Sequence, residues 1–273
     1  MAYQRILTIQ DISCIGQCSM TVALPILSAC GHEVCILPSA LLSTHTGGFG
    51  KPVVTGLTDQ MDSIRKHWKL QGITFDAVYI GYLGSVEAID TANRILDEML
   101  APDGKIIVDP AMADHGRLYS GLDEAYARKM TELCLRSDVM LPNVTEAAMM
   151  TGMSFEDPVD RDYILSLLEK IEGKDVVLTG GIGDAGKTGA AIRCGGEISF
   201  YSHDRVDQSF HGTGDIFASA FTGAWLHGKD LPSSVKIAAD YTYRCIQNTV
   251  RNPAHWYGVK FETAIPYLIA LLK

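Results

Sequence analysis

Short aliphatic and β-branched runs alternate with longer amphipathic stretches along most of this chain, and that rhythm narrows its fold more than any other feature. Strands are expected at residues 5–10, 33–38, 76–80, 105–108, 138–141 and 175–179, with helices at 17–29, 58–70, 86–100, 122–135 and 161–171. A strand followed by a helix re-enters the sheet in the same direction, so the sheet is mostly parallel and needs helices on both faces. After residue 180 the rhythm changes. Runs at 189–193 and 197–202 flank Cys194-Gly195-Gly196 and predict a β-hairpin added at one end of the sheet. Helices at 215–227, 233–250 and 261–272 complete the pattern. With no repeat, linker or low-complexity stretch, residues 1–273 are expected to form one domain, a three-layer α/β/α fold.

The totals exclude several classes of protein. A charged fraction of 20% and a hydrophobic fraction of 47% are those of an ordinary soluble globular chain. The net charge of −9 opposes nucleic acid or an anionic membrane as the main partner. Seven cysteines, at 14, 18, 30, 35, 134, 194 and 245, are scattered and mostly lie inside apolar runs. They read as reduced packing thiols, which places the chain in the cytoplasm. The first ten residues lack the basic region and apolar stretch of a signal peptide, and no segment is long enough to span a bilayer. Asn143-Val144-Thr145 spells a glycosylation acceptor that a cytoplasmic chain leaves unused.

In parallel sheets, ligands bind beyond the carboxyl ends of the strands. Polar residues punctuate those ends here: Asp11 and Ser13, then Ser43 through Gly48, then Gly81-Tyr82. Asp109 and Asp114 come after the fourth strand, and Asn143 and Glu146 after the fifth. Later in the chain, Phe210-His211-Gly212-Thr213-Gly214-Asp215 opens an apolar helix. Glycines there let bare N–H groups approach a ligand, and the helix start adds further donors and a positive dipole end that favour phosphate. Asp215 beside that anion pocket is placed to accept a proton from an alcohol, an arrangement suited to phosphoryl transfer. His211 is read as loop packing. A carboxylate at a helix N-terminus is stabilised as its anion, so Asp215 is expected to be a weak base.

A second glycine-rich segment, residues 181–188, satisfies the P-loop spelling and contains G-x-G-x-x-G. Both motifs need a helix to begin at the loop. The residues after Thr188 make a poor helix and a good hairpin, so P-loop NTPases and Rossmann dehydrogenases are rejected. Lys187 still leaves the same sheet edge and is placed near a nucleotide.

Taken together, these motifs resemble the ribokinase-like superfamily and, within it, the pyridoxal (vitamin B6) kinases. The resemblance rests on Asp11-Ile12-Ser13, Ser43-Thr44-His45-Thr46-Gly47, Gly81-Tyr82-Leu83-Gly84, residues 109–114, Leu141-Pro142-Asn143-Val144-Thr145-Glu146 and the Gly-Thr-Gly-Asp, in the right order. It implies a ribokinase-like fold and the transfer of phosphate from ATP to the hydroxymethyl group of pyridoxal, pyridoxine or pyridoxamine. By that resemblance Asp215 is the base, while the backbone of Gly212, Thr213 and Gly214 holds the phosphoryl oxygens. Ser13, His45, Thr46 and Tyr82 would meet the B6 ring. Asp109, Asp114 and Glu146 would organise Mg²⁺ and its waters, Asn143 would orient that shell, and Thr179 and Lys187 would lie at the nucleotide. Residues 115–121, with glycines at both ends, form a candidate lid.

The resemblance leaves open a monovalent cation such as K⁺, and by analogy it implies a homodimer. The pattern departs from relatives at Leu42, Ala113 and Leu141. Hydroxymethylpyrimidine kinases, the nearest alternative, often carry cysteine where Asp215 stands. A sugar or nucleoside kinase ranks third. A non-catalytic B6-binding sensor is the alternative from another class, and Asp215 argues against it.

Overall fold

The computed structural model of the protein describes residues 3–184, 186–208, 210–250, 252 and 254–273. Its first half runs β1 (Arg5–Ser13), α1 (Met20–Ala29), β2 (Glu33–Leu42), β3 (Val54–Gly56), α2 (Thr58–Leu70), β4 (Phe75–Ile80), α3 (Val86–Met99) and β5 (Leu100–Val108). A small ribbon of β6 (Ala113–Asp114) and β7 (Arg117–Leu118) leads to α4 (Glu124–Cys134), β8 (Val139–Met140), α5 (Val144–Thr151) and α6 (Arg161–Lys170). The remainder is β9 (Asp175–Thr179), β10 (Lys187–Cys194), β11 (Glu197–Asp204), α7 (Thr213–Leu226), α8 (Leu231–Thr249), a short 3₁₀ turn and α9 (Ile265–Leu272).

Nine strands form one sheet in the order β11-β10-β9-β8-β5-β4-β1-β2-β3. The pairs from β2 through β9 are parallel, as the strand–helix rhythm requires. The expected hairpin is β10–β11, with Cys194 opposite Glu197 across Gly195 and Gly196, both at positive φ. It caps one edge antiparallel to β9. At the other edge the sequence reading missed β3, three exposed residues antiparallel to β2. It also missed α5 and the ribbon.

Successive strand residues feed two separate cores, which explains why the strands read as continuous apolar runs. Leu7, Val78, Ile106 and Val176 face a core made with α2 through α6. Their neighbours Ile6, Ala77, Ile107 and Val177 face a second core made with α1, α7, α8 and α9. The result is the three-layer α/β/α arrangement. In the second core α7 packs tightly on α1, since a Cβ on Gly223 would fall 2.4 Å from Cys30 Sγ. That packing fixes where the α7 N-terminus sits.

Chain direction across the sheet reverses between β1 and β4: β1 passes to β2 on one side, and the chain then returns to β4 on the other. Such a switch point opens a crevice at the strand ends. Asp11 and Ser13 stand on one side of it and Tyr82 on the other. Among the described residues, no helix is long and apolar enough to cross a membrane.

Candidate active site

A cavity of about 820 Å³ lies over the carboxyl ends of the strands. Sheet order arranges its lining from one end to the other. Ser13, His45, Thr46 and Tyr82 line the end over β1, β2 and β4. Asp109, Asp114, Asn143 and Glu146 line the middle, beyond β5 and β8. Thr179, Thr188 and Gly189 mark the far end at β9 and β10. Gly212, Thr213, Gly214 and Asp215 also line the cavity. Residues far apart in sequence thus converge as expected, with one exception. Lys187 is not among the lining residues, because its Nζ sits 2.6 Å from Asp204 Oδ1 across the hairpin. Its segment enters a strand rather than a helix, so no helix N-terminus backs the P-loop spelling; Ala185 of that segment lies outside the described residues.

Gly212 ends the approach to α7 with φ 77° and ψ 3°. A Cβ there would lie 1.8 Å from the carbonyl oxygen of Gln17, so only glycine fits. The first intrahelical bond runs from Ile216 N to Gly212 O at 3.0 Å. The N–H groups of Thr213 and Gly214 therefore have no partner within the helix. They form the donor end of the cavity.

Asp215 departs from the weak base that its helix position predicts. Its carboxyl is pushed up to about 8, first by burial and then by repulsion from Asp109. The backbone N–H of Ser19 opposes the shift but does not cancel it. Burial outweighs the helix dipole because the charge is enclosed by protein while the dipole effect is worth only ~1 kcal/mol. Asp109 is raised likewise by burial and by Glu146, and Glu146 by burial. Three carboxylates short of positive charge, Glu146 buried and Asp109 and Asp215 half-buried, create a demand for a cation.

The middle of the cavity revises two ligand expectations. Asn143 caps α5: its Oδ1 accepts from Glu146 N at 2.9 Å and its Nδ2 donates to Ala113 O at 2.8 Å. Glu146 completes the capping box, with Oε2 accepting from Asn143 N at 2.9 Å and Oε1 from Met112 N at 2.8 Å. Both side chains spend their polar atoms on the protein. Among the described residues no group of three or more His, Cys, Asp or Glu side chains converges as a metal cage. Asp109, one oxygen of which accepts from Ala111 N at 3.2 Å, is the carboxylate with capacity to spare. This donor set suits Mg²⁺, which takes one or two carboxylates and otherwise keeps water and phosphate oxygens.

His45 is also more committed than expected. Its Nδ1 accepts from Gly47 N at 2.9 Å, and its Nε2 lies 3.1 Å from Tyr257 O and donates to it. Burial, then the nearby His211, holds its pKa below the ordinary value, so it is a neutral ring that shapes the loop. His211, read as packing, is instead exposed and lines the cavity, with its ring centroid 5.0 Å from that of His45. Gly47 makes room for it, since a Cβ would fall 2.4 Å from the His211 ring.

Sequence reasoning missed Ser19, whose role lies in its backbone, and left Asp11 without one. Ser19 (φ 48°), Ala111 (φ 41°) and His115 (φ 50°) are the non-glycine residues at positive φ among those described, and all three line the cavity. Strained backbone concentrated at one cavity is a mark of function. Nothing in the residue types at these positions announces it. The candidate lid, residues 115–121, takes in the turn between β6 and β7 and β7 itself, and its Gly116 lies against Phe155.

A mostly parallel three-layer fold with an anion-binding helix start and an enclosed acid beside it defines the ribokinase-like class of phosphotransferase. Comparison with known proteins agrees. The family model described as phosphomethylpyrimidine kinase matches residues 46–259. A pyridoxal kinase of Lactobacillus plantarum has a crystal structure that superposes with a TM-score of 0.90 at 30% identity, covering 99% of this chain and 98% of that one. Pyridoxal kinase of Arabidopsis thaliana is 26% identical over 271 residues, covering 90% of this chain and 81% of its own. Hydroxymethylpyrimidine/phosphomethylpyrimidine kinase of Bacillus subtilis is 28% identical over 199 residues, covering 72% and 71%. The chain belongs to the family of phosphomethylpyrimidine and pyridoxal kinases, of ribokinase-like fold, and it is a kinase.

Proposed function

We propose that the protein transfers the γ-phosphoryl group of ATP to the exocyclic hydroxymethyl group of pyridoxal, pyridoxine or pyridoxamine. The observation that carries this reading is Asp215, half-buried in the cavity lining beside the N–H groups of Thr213 and Gly214 that have no partner within the helix. The acceptor ring lies between Ser13, Thr46 and Tyr82, with the nucleotide extending toward Thr179. Asp215 takes the proton of the acceptor hydroxyl, and the 212–214 backbone holds the phosphoryl oxygens as charge spreads over them. One such donor is worth about 3 kcal/mol in a comparable anion hole. A loose transition state asks for positioning more than for a strong nucleophile.

Asp109 would hold Mg²⁺, with Glu146 and Asp114 acting at longer range, and the ion would supply charge neutralisation at the transferring phosphate. Lys187 has no part in this reading. The protein acts in the cytoplasm as a homodimer, with no nucleic-acid or membrane partner.

The acceptor is supported by the Lactobacillus plantarum and Arabidopsis thaliana relatives, both named pyridoxal kinases. A second reading, a hydroxymethylpyrimidine kinase, is favoured by the family model and the Bacillus subtilis relative. Asp215 in place of cysteine speaks against it. Coupled ADP-release assays with the three B6 vitamers, 4-amino-5-hydroxymethyl-2-methylpyrimidine and ribose separate the candidates. Highest kcat/KM on a B6 vitamer is the expected result. Turnover of the pyrimidine alone would replace this reading with the second.

A further inference from the structure

The charge along the cavity is uneven in a way that bears on the acceptor. Among the described lining residues, five side chains are carboxylates (Asp11, Asp109, Asp114, Glu146 and Asp215), against one guanidinium, Arg117 in the ribbon. Four of those acids are accounted for by the phosphoryl-transfer end. Asp11 is not. It stands near the carboxyl end of β1, at the crevice between β1 and β4, lines the cavity with Ser13, Ser19 and Tyr82, and is 4% exposed.

Asp11 Oδ2 accepts from Ser13 Oγ at 3.2 Å, and the Ser19 hydroxyl lies on the same side of the carboxylate. Those hydroxyls are neutral. No ion pair to a lysine or arginine reaches Asp11 among the described residues, and its other close charged neighbour is the like-charged Asp215. Tyr82 feels the same carboxylate across the crevice, so Asp11 and the phenol ring bound one space. An enclosed carboxylate with hydroxyl partners alone is short of a strong donor, and it gains most from a ligand that brings one.

We propose that Asp11 determines acceptor specificity by accepting the ring N–H of a protonated 3-hydroxypyridine, and that the same negative end rejects acceptors already carrying a phosphate ester. The inference rests on the reading that the acceptor is an aromatic hydroxymethyl heterocycle. A carboxylate facing a pyridine nitrogen stabilises the N–H form of the ring, as carboxylates do for bound pyridoxal cofactors. A phosphomonoester, by contrast, meets Asp11 and Asp215 with no lysine in the lining to offset them. The family model's phosphorylated pyrimidine substrate is therefore not one this chain accepts.

The test compares pyridoxine with its carbocyclic analogue, in which ring nitrogen is replaced by C–H, by calorimetric binding to the wild-type chain and to Asp11→Asn. The expected result is wild-type preference for pyridoxine of ~10-fold or more, the scale of one charge-assisted hydrogen bond. In Asp11→Asn that preference falls below about threefold, while the carbocyclic analogue binds both proteins alike. Equal preference in the two proteins overturns the role of Asp11. The wild-type comparison alone decides the matter if the variant fails to fold, because absence of any preference there also overturns it.

A parallel assay offers the phosphate ester of 4-amino-5-hydroxymethyl-2-methylpyrimidine. No turnover is expected, and turnover within tenfold of pyridoxine contradicts the exclusion. Pyridoxine turnover with an unaltered preference sinks this inference and leaves the acceptor assignment standing. Failure to bind or phosphorylate pyridoxine at all sinks both.

Discussion

Ser19, held at φ 48° and ψ −128°, brings its backbone N–H toward the carboxylate of Asp215. The two residues are far apart in sequence and meet because α1 and α7 pack side by side in one core. A serine in that region of backbone space costs on the order of 1–3 kcal/mol, which tertiary packing must hold in place. The contact gives Asp215 a fixed orientation. It does not keep the acid ionised, because burial and Asp109 push the other way. Asp215 is thus a carboxyl able to carry a proton near neutrality, a more effective base than a helix N-terminus alone would give.

That shift has a kinetic signature. In the ligand-free protein Asp215 loses its proton at about 8, so kcat/KM should rise with pH and level off above that value. Cationic Mg²⁺ in the ternary complex favours the ionised form, so the corresponding limb of kcat should lie at lower pH. The stability sign is the opposite. A folded-state value raised above 3.8 holds a proton that the unfolded chain releases, so the contribution of Asp215 to ligand-free stability is full below about 3.8 and is lost as pH rises toward 8. Rate profiles and thermal melts across that window check both.

Gly212→Ala places a methyl group against the Gln17 carbonyl at a backbone angle that only glycine adopts freely. The start of α7 must shift, and with it the two free N–H groups. We expect kcat to fall ~100-fold, the loss of one anion-hole donor. A melting temperature within a few degrees of the parent would locate the defect in the site. Wild-type kcat would contradict the anion hole.

Lys187→Ala removes a partner of Asp204 on the hairpin surface, where solvent screens the pair and leaves it little energetic weight. Steady-state kinetics should change by less than about threefold. Complete loss of activity would restore the phosphate-binding role that its P-loop spelling implies.

Asn143→Ala breaks the capping box of α5 and should lower stability by about 1–2 kcal/mol in urea titrations. Because both polar atoms of Asn143 are bound to the protein, the Mg²⁺ dependence of the rate should hardly move. A large shift in that dependence would return Asn143 to the metal shell.

Much of the fold was legible in the sequence because both faces of the sheet are buried: runs such as 77–80 and 176–178 are apolar throughout, and only parallel strands need that. The edge strand β3 escaped because its three residues are exposed and lack a pattern. The convergence of Ser13, Tyr82 and Asp109 came from strand ends, and that of Asp215 from the glycines that open α7. What could not be read was which side chains were already spent. Asn143-x-x-Glu146 also spells a capping box, a signal that metal chemistry obscured. His45 gave no warning that two backbone groups claim its ring, and the strength of Asp215 as a base depends on Asp109, distant in sequence.

The central claim is that Asp215 removes the acceptor proton without holding the nucleotide. Single-turnover phosphorylation of pyridoxine by Asp215→Asn, measured beside equilibrium binding of ATP, tests it most directly. The account predicts a chemical step slowed by ~10²–10⁴ with ATP affinity within a few-fold of the parent. A chemical step at the wild-type rate would contradict it.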